Sequence, residues 1–151
     1  MKGVYTATRA VTSATTGTIF EVVPASNKPI EILRCWLTGD QETAEQLDIV
    51  LARSTASGTG TATNITPGKT EISAADSATI LQHGMSEPTL DSGYLAREWV
   101  PNAGGFYYVP TPEERPIVAG GSGDISFILR LNSVPTSAIN LLCGITWREL
   151  G

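Results

Sequence analysis

The chain is poor in charge, in histidine and in cysteine, and each shortage removes a class of function. Charged residues make up 17% of the 151, against about a quarter in an average soluble protein. The 15 acidic and 10 basic side chains leave a net charge of −5; such a molecule repels a phosphate backbone, and no nucleic-acid partner is expected. His83 is the only histidine, so a metal site built on several imidazoles is excluded and a Ser-His-Asp relay would have to pass through it. No Gly-x-Ser-x-Gly elbow accompanies it, the setting of Ser92 being Leu90-Asp91-Ser92-Gly93-Tyr94. The two cysteines lie in separate apolar runs, Leu33–Leu37 and Leu141–Ile145. Two buried free thiols are expected of Cys35 and Cys143, a bridge between core strands being the alternative, and zinc has no partner ligands. No window approaches about 18 uninterrupted apolar residues, so no membrane span is expected. The stretch Met1–Arg9 has charge but no apolar core of about 7 to 15 residues behind it, so no secretory signal is expected either.

Hydrophobic side chains are present at 41%, enough for one folded domain over residues 1–151. Gly and Pro number 15 and 9, together about 16% against an average of about 12%, a bias toward turns and sheets. Ile139, Leu141, Cys143, Ile145 and Trp147 recur with a period of two; so do Ile125, Phe127, Leu129 and Leu131, and Leu47, Ile49 and Leu51. Each run predicts a strand with one face in a core and one face wet. Weaker strand signals cover 3–11, 18–23, 30–38, 78–83, 93–100 and 106–109. Eight to ten strands at this spacing predict an all-β, mainly antiparallel protein of two sheets with little helix. Turn chemistry separates them at Pro24–Pro29, Thr38–Asp40, Asn102–Gly105, Ala119–Asp124 and Asn132–Thr136. The Ser/Thr/Gly-rich stretch Ser54–Lys69 reads as a long exposed loop, Ser73–Ser77 as a turn, and Thr111-Pro112 as a helix start too short to continue.

The chemical motifs are incomplete. Gly68-Lys69-Thr70 would end a phosphate-cradling loop, but position 63 is Thr where a Gly is needed, and Pro67 removes a donor. Glu113-Glu114-Arg115 reads as solvated loop charge. Of the tryptophans, Trp36 and Trp147 lie in apolar strands and are expected in the core, whereas Trp99, beside Arg97 and Glu98, is the one to face outward. No catalytic residue, cofactor site or metal site is expected.

The order of the pieces resembles a group of small virion structural proteins of tailed bacteriophages. The segments that carry the likeness are Phe20–Ala25, Lys28–Ile32, Leu37–Asp40 and Leu47–Arg53, then a Ser/Gly/Thr loop from Ser57 closing in Thr66-Pro67. Phe106–Pro110 running to Arg115-Pro116, and the final Gly144–Leu150, continue it. The resemblance implies a β-sandwich of jelly-roll type on the capsid exterior, a decoration or cement protein. It further implies a homotrimer bound to the major capsid protein, located on the virion and assembled in the host cytoplasm. A carbohydrate-binding or host-attachment module of a tail or fibre is the alternative; a cupin-like enzyme is disfavoured by the single histidine. Contacts are expected from the segments 2–16, 54–69 and 99–115 rather than from sheet faces, with Val4, Tyr5, Trp99, Phe106, Tyr107 and Tyr108 as candidate interface residues. The N-terminal segment, about 1–16, has few large apolar groups and is expected to order only against a neighbour.

Overall fold

The computed structural model describes residues 3–40, 44–101, 103–121 and 124–151. Met1, Lys2, Asn102, Ser122 and Gly123, placed above in the N-terminal segment and in turns, lie outside the described residues. Two antiparallel sheets pack face to face. Sheet I contains β1 (Val4–Ser13), β12 (Ile139–Glu149), β3 (Ile30–Gly39) and β9 (Gly105–Tyr108), paired in that order. Sheet II contains β2 (Gly17–Val23), β11 (Ser126–Leu131), β4 (Gln46–Ala56) and β8 (Thr89–Pro101). The pairing is nested: β1 with β12, β2 with β11, β3 with β9, β4 with β8. Four strands out and four back, rolled so that successive strands alternate between sheets except where β4 turns back into β8, make a jelly roll. Shorter pieces trim its edges. β6 (Gly68–Lys69) pairs with β1, β10 (Ile117–Val118) with the start of β3, and β5 (Thr63–Ile65) and β7 (Ile80–His83) extend sheet II beyond β2. Among the described residues there is no α-helix, only a 3-10 turn at Pro112–Glu114 preceded by Thr111; accordingly no described helix is long and apolar enough to cross a membrane.

The three period-two runs do what their spacing dictates. Leu47, Ile49, Leu51, Phe127, Leu129, Leu141, Cys143, Ile145 and Trp147 all point between the sheets and are buried. Ile125, expected with them, is only half buried, just ahead of β11. Burying a Leu, Ile or Phe side chain stabilises by about 1.5 to 3 kcal/mol, so these rows dominate the favourable side of folding. Cys35 and Cys143 are free and buried on neighbouring strands. Cys35 stands opposite Ile145 and Cys143 opposite Leu37, so the thiols are diagonal neighbours, about 7 to 8 Å apart at the backbone and beyond the reach of a bridge. Burial pushes the Cys143 thiol up to about 12, and burial beside Cys143 raises Cys35 as well; both stay protonated and inert at neutral pH.

Four readings of the sequence are corrected here. β1 is an integral strand, paired with β12 over all ten of its residues, not a segment waiting for a neighbour. The stretch 54–69 is not one loop but the end of β4 followed by β5 and β6. β4 has no wet face along its middle, because Asp48, Val50 and Ala52 are buried as fully as Leu47 and Ile49. The chain between β4 and β5, and again between β7 and β8, has to pass from one side of sheet II to the other. Gly58 N donates to Glu21 Oε2 at 3.3 Å, Thr59 N donates to Ser86 Oγ at 2.9 Å, and Arg130 Nη1 donates to Glu87 Oε2 at 3.0 Å, so these passages lie over the outer face. Finally, Trp36 is outside. In β3 the register against β12 shifts between Ile32 and Arg34, a bulge at Leu33 that moves every later residue to the other face. Cys35 and Leu37 therefore point inward and Trp36 outward.

Candidate functional site

Buried acids are the usual raw material of catalysis, and here each is committed to holding the fold. Glu149 Oε1 accepts from Ser77 Oγ at 2.7 Å, Ala78 N at 2.8 Å and both Thr79 N and Thr79 Oγ1 at 3.2 Å, which fastens the segment 70–79 against the end of β12. Glu31 accepts from Arg148 Nε at 2.8 Å, from Arg148 Nη2, and from Arg115 Nη1 at 3.4 Å. Glu21 lies under the passages across sheet II, where it accepts from Ser126 Oγ at 2.5 Å and Gln82 Nε2 at 2.7 Å; Ser126 in turn shares a 2.5 Å hydrogen bond with Ser54. His83, on β7 opposite Thr63 of β5, has its pKa lowered by burial and by nearby Arg9. Lys69 of the incomplete phosphate motif is engaged by Ala74 O at 3.0 Å and by Asp76 at 2.7 Å. Among the described residues no group of three or more His, Cys, Asp and Glu is arranged to hold a metal.

Asp48 shows the same structural use with a measurable pH signature. Arg97 Nε and Nη2 donate to its two oxygens at 2.9 and 2.7 Å and Asn132 Nδ2 adds a third bond at 3.0 Å. The Arg97 hydrogen bonds hold the Asp48 carboxyl below its ordinary value, against the opposing effect of burial, with Asn132 and the Arg97 charge assisting. A depressed acid contributes stability that is present above its unfolded pKa of about 3.9 and is lost as pH falls through the folded value. Asp48→Asn is therefore expected to lower the denaturant midpoint at pH 7, with the gap to wild type closing below about pH 4. A gap that stays constant through acid would disprove the linkage.

The outer face of sheet I carries several exposed large apolar side chains close together. Thr8, Gly144, Trp36 and Tyr107 stand in one row across its four strands, and Ala10, Leu142, Thr38 and Gly105 in the next. A Cβ at Gly144 would overlap the Trp36 indole, and one at Gly105 the Tyr107 ring; the two glycines let both rings lie down on the sheet. Tyr107 is 66% exposed, Val109 69% and Leu142 52%. Together with Trp36, Thr38 and Arg34 they line a shallow hollow of about 410 Å³. Arg34 stacks its guanidinium 5.1 Å from the Trp36 ring centre and donates Nε to Thr146 Oγ1 at 3.0 Å. Among the described residues it has no carboxylate partner. Apolar side chains and one cation are thus exposed side by side on this face.

The six interface residues named from the sequence separate by strand parity. Phe106 points inward opposite Leu37, Tyr107 outward opposite Trp36, and Tyr108 inward opposite Cys35; Phe106 is core and Tyr108 half buried at the open edge. Tyr5 is core as well, stacked on Trp147 with ring centres 6.0 Å apart. Val4 is half buried at the start of β1. Trp99, 61% exposed, stands opposite Asp48 on the outer face of sheet II, so it and Tyr107 lie on opposite faces of the sandwich and share no platform. Arg34, Trp36, Val109 and Leu142 were missed. Leu142 carried a signal: it is an apolar residue on the polar parity of β12. Comparison with protein-family models, with curated proteins and with solved structures returned no match.

Proposed function

We propose that the protein is a non-enzymatic structural component of a tailed-phage virion: a decoration or cement protein that binds the major capsid protein on the outside of the head and stabilises the shell as an oligomer, most simply a trimer. The observation that carries this reading is the outer face of sheet I, an apolar surface presented by a rigid jelly roll whose buried acids are all engaged in holding the fold. A cement protein needs a stiff body and a docking face, and its weak single contacts are multiplied by copy number and oligomerisation. The order of sequence segments that resembles phage virion proteins supports the same assignment. A sugar platform built of Trp99, Tyr107 and Tyr108 would favour the attachment-module alternative, but Trp99 and Tyr107 lie on opposite faces of the sandwich and Tyr108 points inward.

The test is to add purified protein to capsids that lack it and to count copies per shell. Saturable binding at a stoichiometry set by the shell lattice, with a rise in the temperature at which the shells open, is the expected result. A protein that ignores shells but is retained on glycans or host cells is instead an attachment module.

A further inference from the structure

We infer that the outer face of sheet I is the self-association surface, and that its occupant is the acidic turn at Glu113 of a second copy of this chain, with Arg34 as the central ionic contact. The inference rests on the oligomer in the reading above, not on the shell. The aliphatic groups among the threonines of this face favour a protein over a saccharide. Leu142, Val109 and Ala10 cannot replace the hydrogen bonds that sugar hydroxyls lose on leaving water, whereas they suit the apolar centre of a protein interface with Trp36 and Tyr107 beside them.

Size and charge point to a copy of the same chain. Three strands of ten or eleven residues and the four-residue β9, about 4.8 Å apart, give a face of roughly 500 Å² in plan before side-chain relief, the larger part of the 800 Å² or so per partner of a standard interface. Arg34 is exposed at the middle of this face without a carboxylate of its own, and burying it would require one from the occupant. The chain offers one on the edge of the same sheet. Between β9 and β10 the backbone makes an exposed 3-10 turn at Pro112–Glu114. There Glu114 is engaged by Thr111 Oγ1 at 3.0 Å, while Glu113 is exposed and without a partner among the described residues. A face-to-face pair related by a twofold axis would set one apolar face on another but bring two Arg34 charges toward each other. A face-to-edge contact sets Glu113 of one copy against Arg34 of the next; being head-to-tail, it closes into a ring when the rotation allows.

The experiment measures mass in solution, by sedimentation or light scattering, for the wild type, Arg34→Glu, Leu142→Lys, the exchange Arg34→Glu with Glu113→Arg, and Trp99→Ala on the opposite face, each checked for a wild-type circular dichroism spectrum. The wild type should be oligomeric. Arg34→Glu and Leu142→Lys should dissociate it by about tenfold or more, and added salt should weaken it. The charge exchange should restore assembly, and Trp99→Ala should leave it intact. A monomeric wild type overturns the inference, as does a folded Leu142→Lys that assembles normally. An exchange that fails to rescue Arg34→Glu overturns the face-to-edge pairing. Assembly that follows this pattern in a protein that ignores capsids upholds the inference and removes the decoration reading; a monomer that still coats capsids does the reverse.

Discussion

Ile145→Asp should yield no folded protein. Ile145 is fully buried in β12, a central strand of sheet I, flanked by Ala7 of β1 and Cys35 of β3. Ala7 offers a carboxylate neither hydrogen bond nor charge, the Cys35 thiol is only a weak donor, and Arg9 on the same face is engaged by the Ile19 carbonyl. Removing the isoleucine side chain alone costs about 2 to 5 kcal/mol through lost transfer energy and the cavity left behind. Placing an unpaired acid there adds several kcal/mol even when it takes up a proton, and the sum rivals the roughly 5 to 15 kcal/mol that holds a domain of this kind together. The control lies on the same strand. Leu142→Asp, three residues earlier and on the outer face, should still fold and unfold cooperatively, losing chiefly what self-association contributes. Chemical denaturation followed by circular dichroism reads both, with Ile145→Val as the mild member of the series at about 0.5 to 1.5 kcal/mol. An Ile145→Asp protein with a wild-type transition would mean that the inward parity of β12 is misassigned.

The contrast between Ile145 and Leu142 also marks where sequence was readable. Strands β4, β11 and β12 announce themselves because their apolar residues recur every second position, and a period of two has one structural meaning when one face is buried. Parity fails where the run is apolar throughout. From Ile30 to Leu37 only Glu31 and Arg34 interrupt the apolar side chains, and the bulge at Leu33 reverses the faces within that run, which is why Trp36 reads as core but lies outside. The covered face of sheet II was illegible for another reason: its lid comes from the passages near Gly58 and Glu87, distant in sequence and small or polar in composition, and only the strand order brings them across Glu21, Ser126 and Ile128. At the candidate site, exposure of Trp99 was legible from its neighbours Arg97 and Glu98. The split of Phe106, Tyr107 and Tyr108 between two faces depended on where β9 pairs with β3, and no local pattern records that.

Deletion of Val4–Ser13 should abolish folding rather than merely release the protein from its partners. β1 contributes a ten-residue ladder to β12 and closes one flank of sheet I. From its inner face Tyr5 and Ala7 enter the core, Tyr5 against Trp147, and Arg9 crosses the sandwich so that Nη1 donates to the Ile19 carbonyl of β2. Its other edge holds the following segments in place: Thr70 N donates to Val4 O at 3.0 Å, and Tyr5 Oη donates to Ala75 O at 2.9 Å. Without β1 the long edge of β12 is left unpaired and open to association, and one wall of the Trp147 pocket is gone. Removing a large buried aromatic side chain such as Tyr5 costs about 3 to 5 kcal/mol by itself; the lost ladder and the unfastened segment come on top, within a total of roughly 5 to 15 kcal/mol. The truncated chain is expected in the insoluble fraction, or in solution without a cooperative melt, while Tyr5→Ala melts cooperatively at a lower temperature. If β1 were instead an arm that ordered only on a neighbour, the truncated chain would melt like the wild type and differ only in assembly. Melting curves and mass measured on the same two proteins separate these outcomes, and a truncated chain with the wild-type transition would remove β1 from the jelly roll.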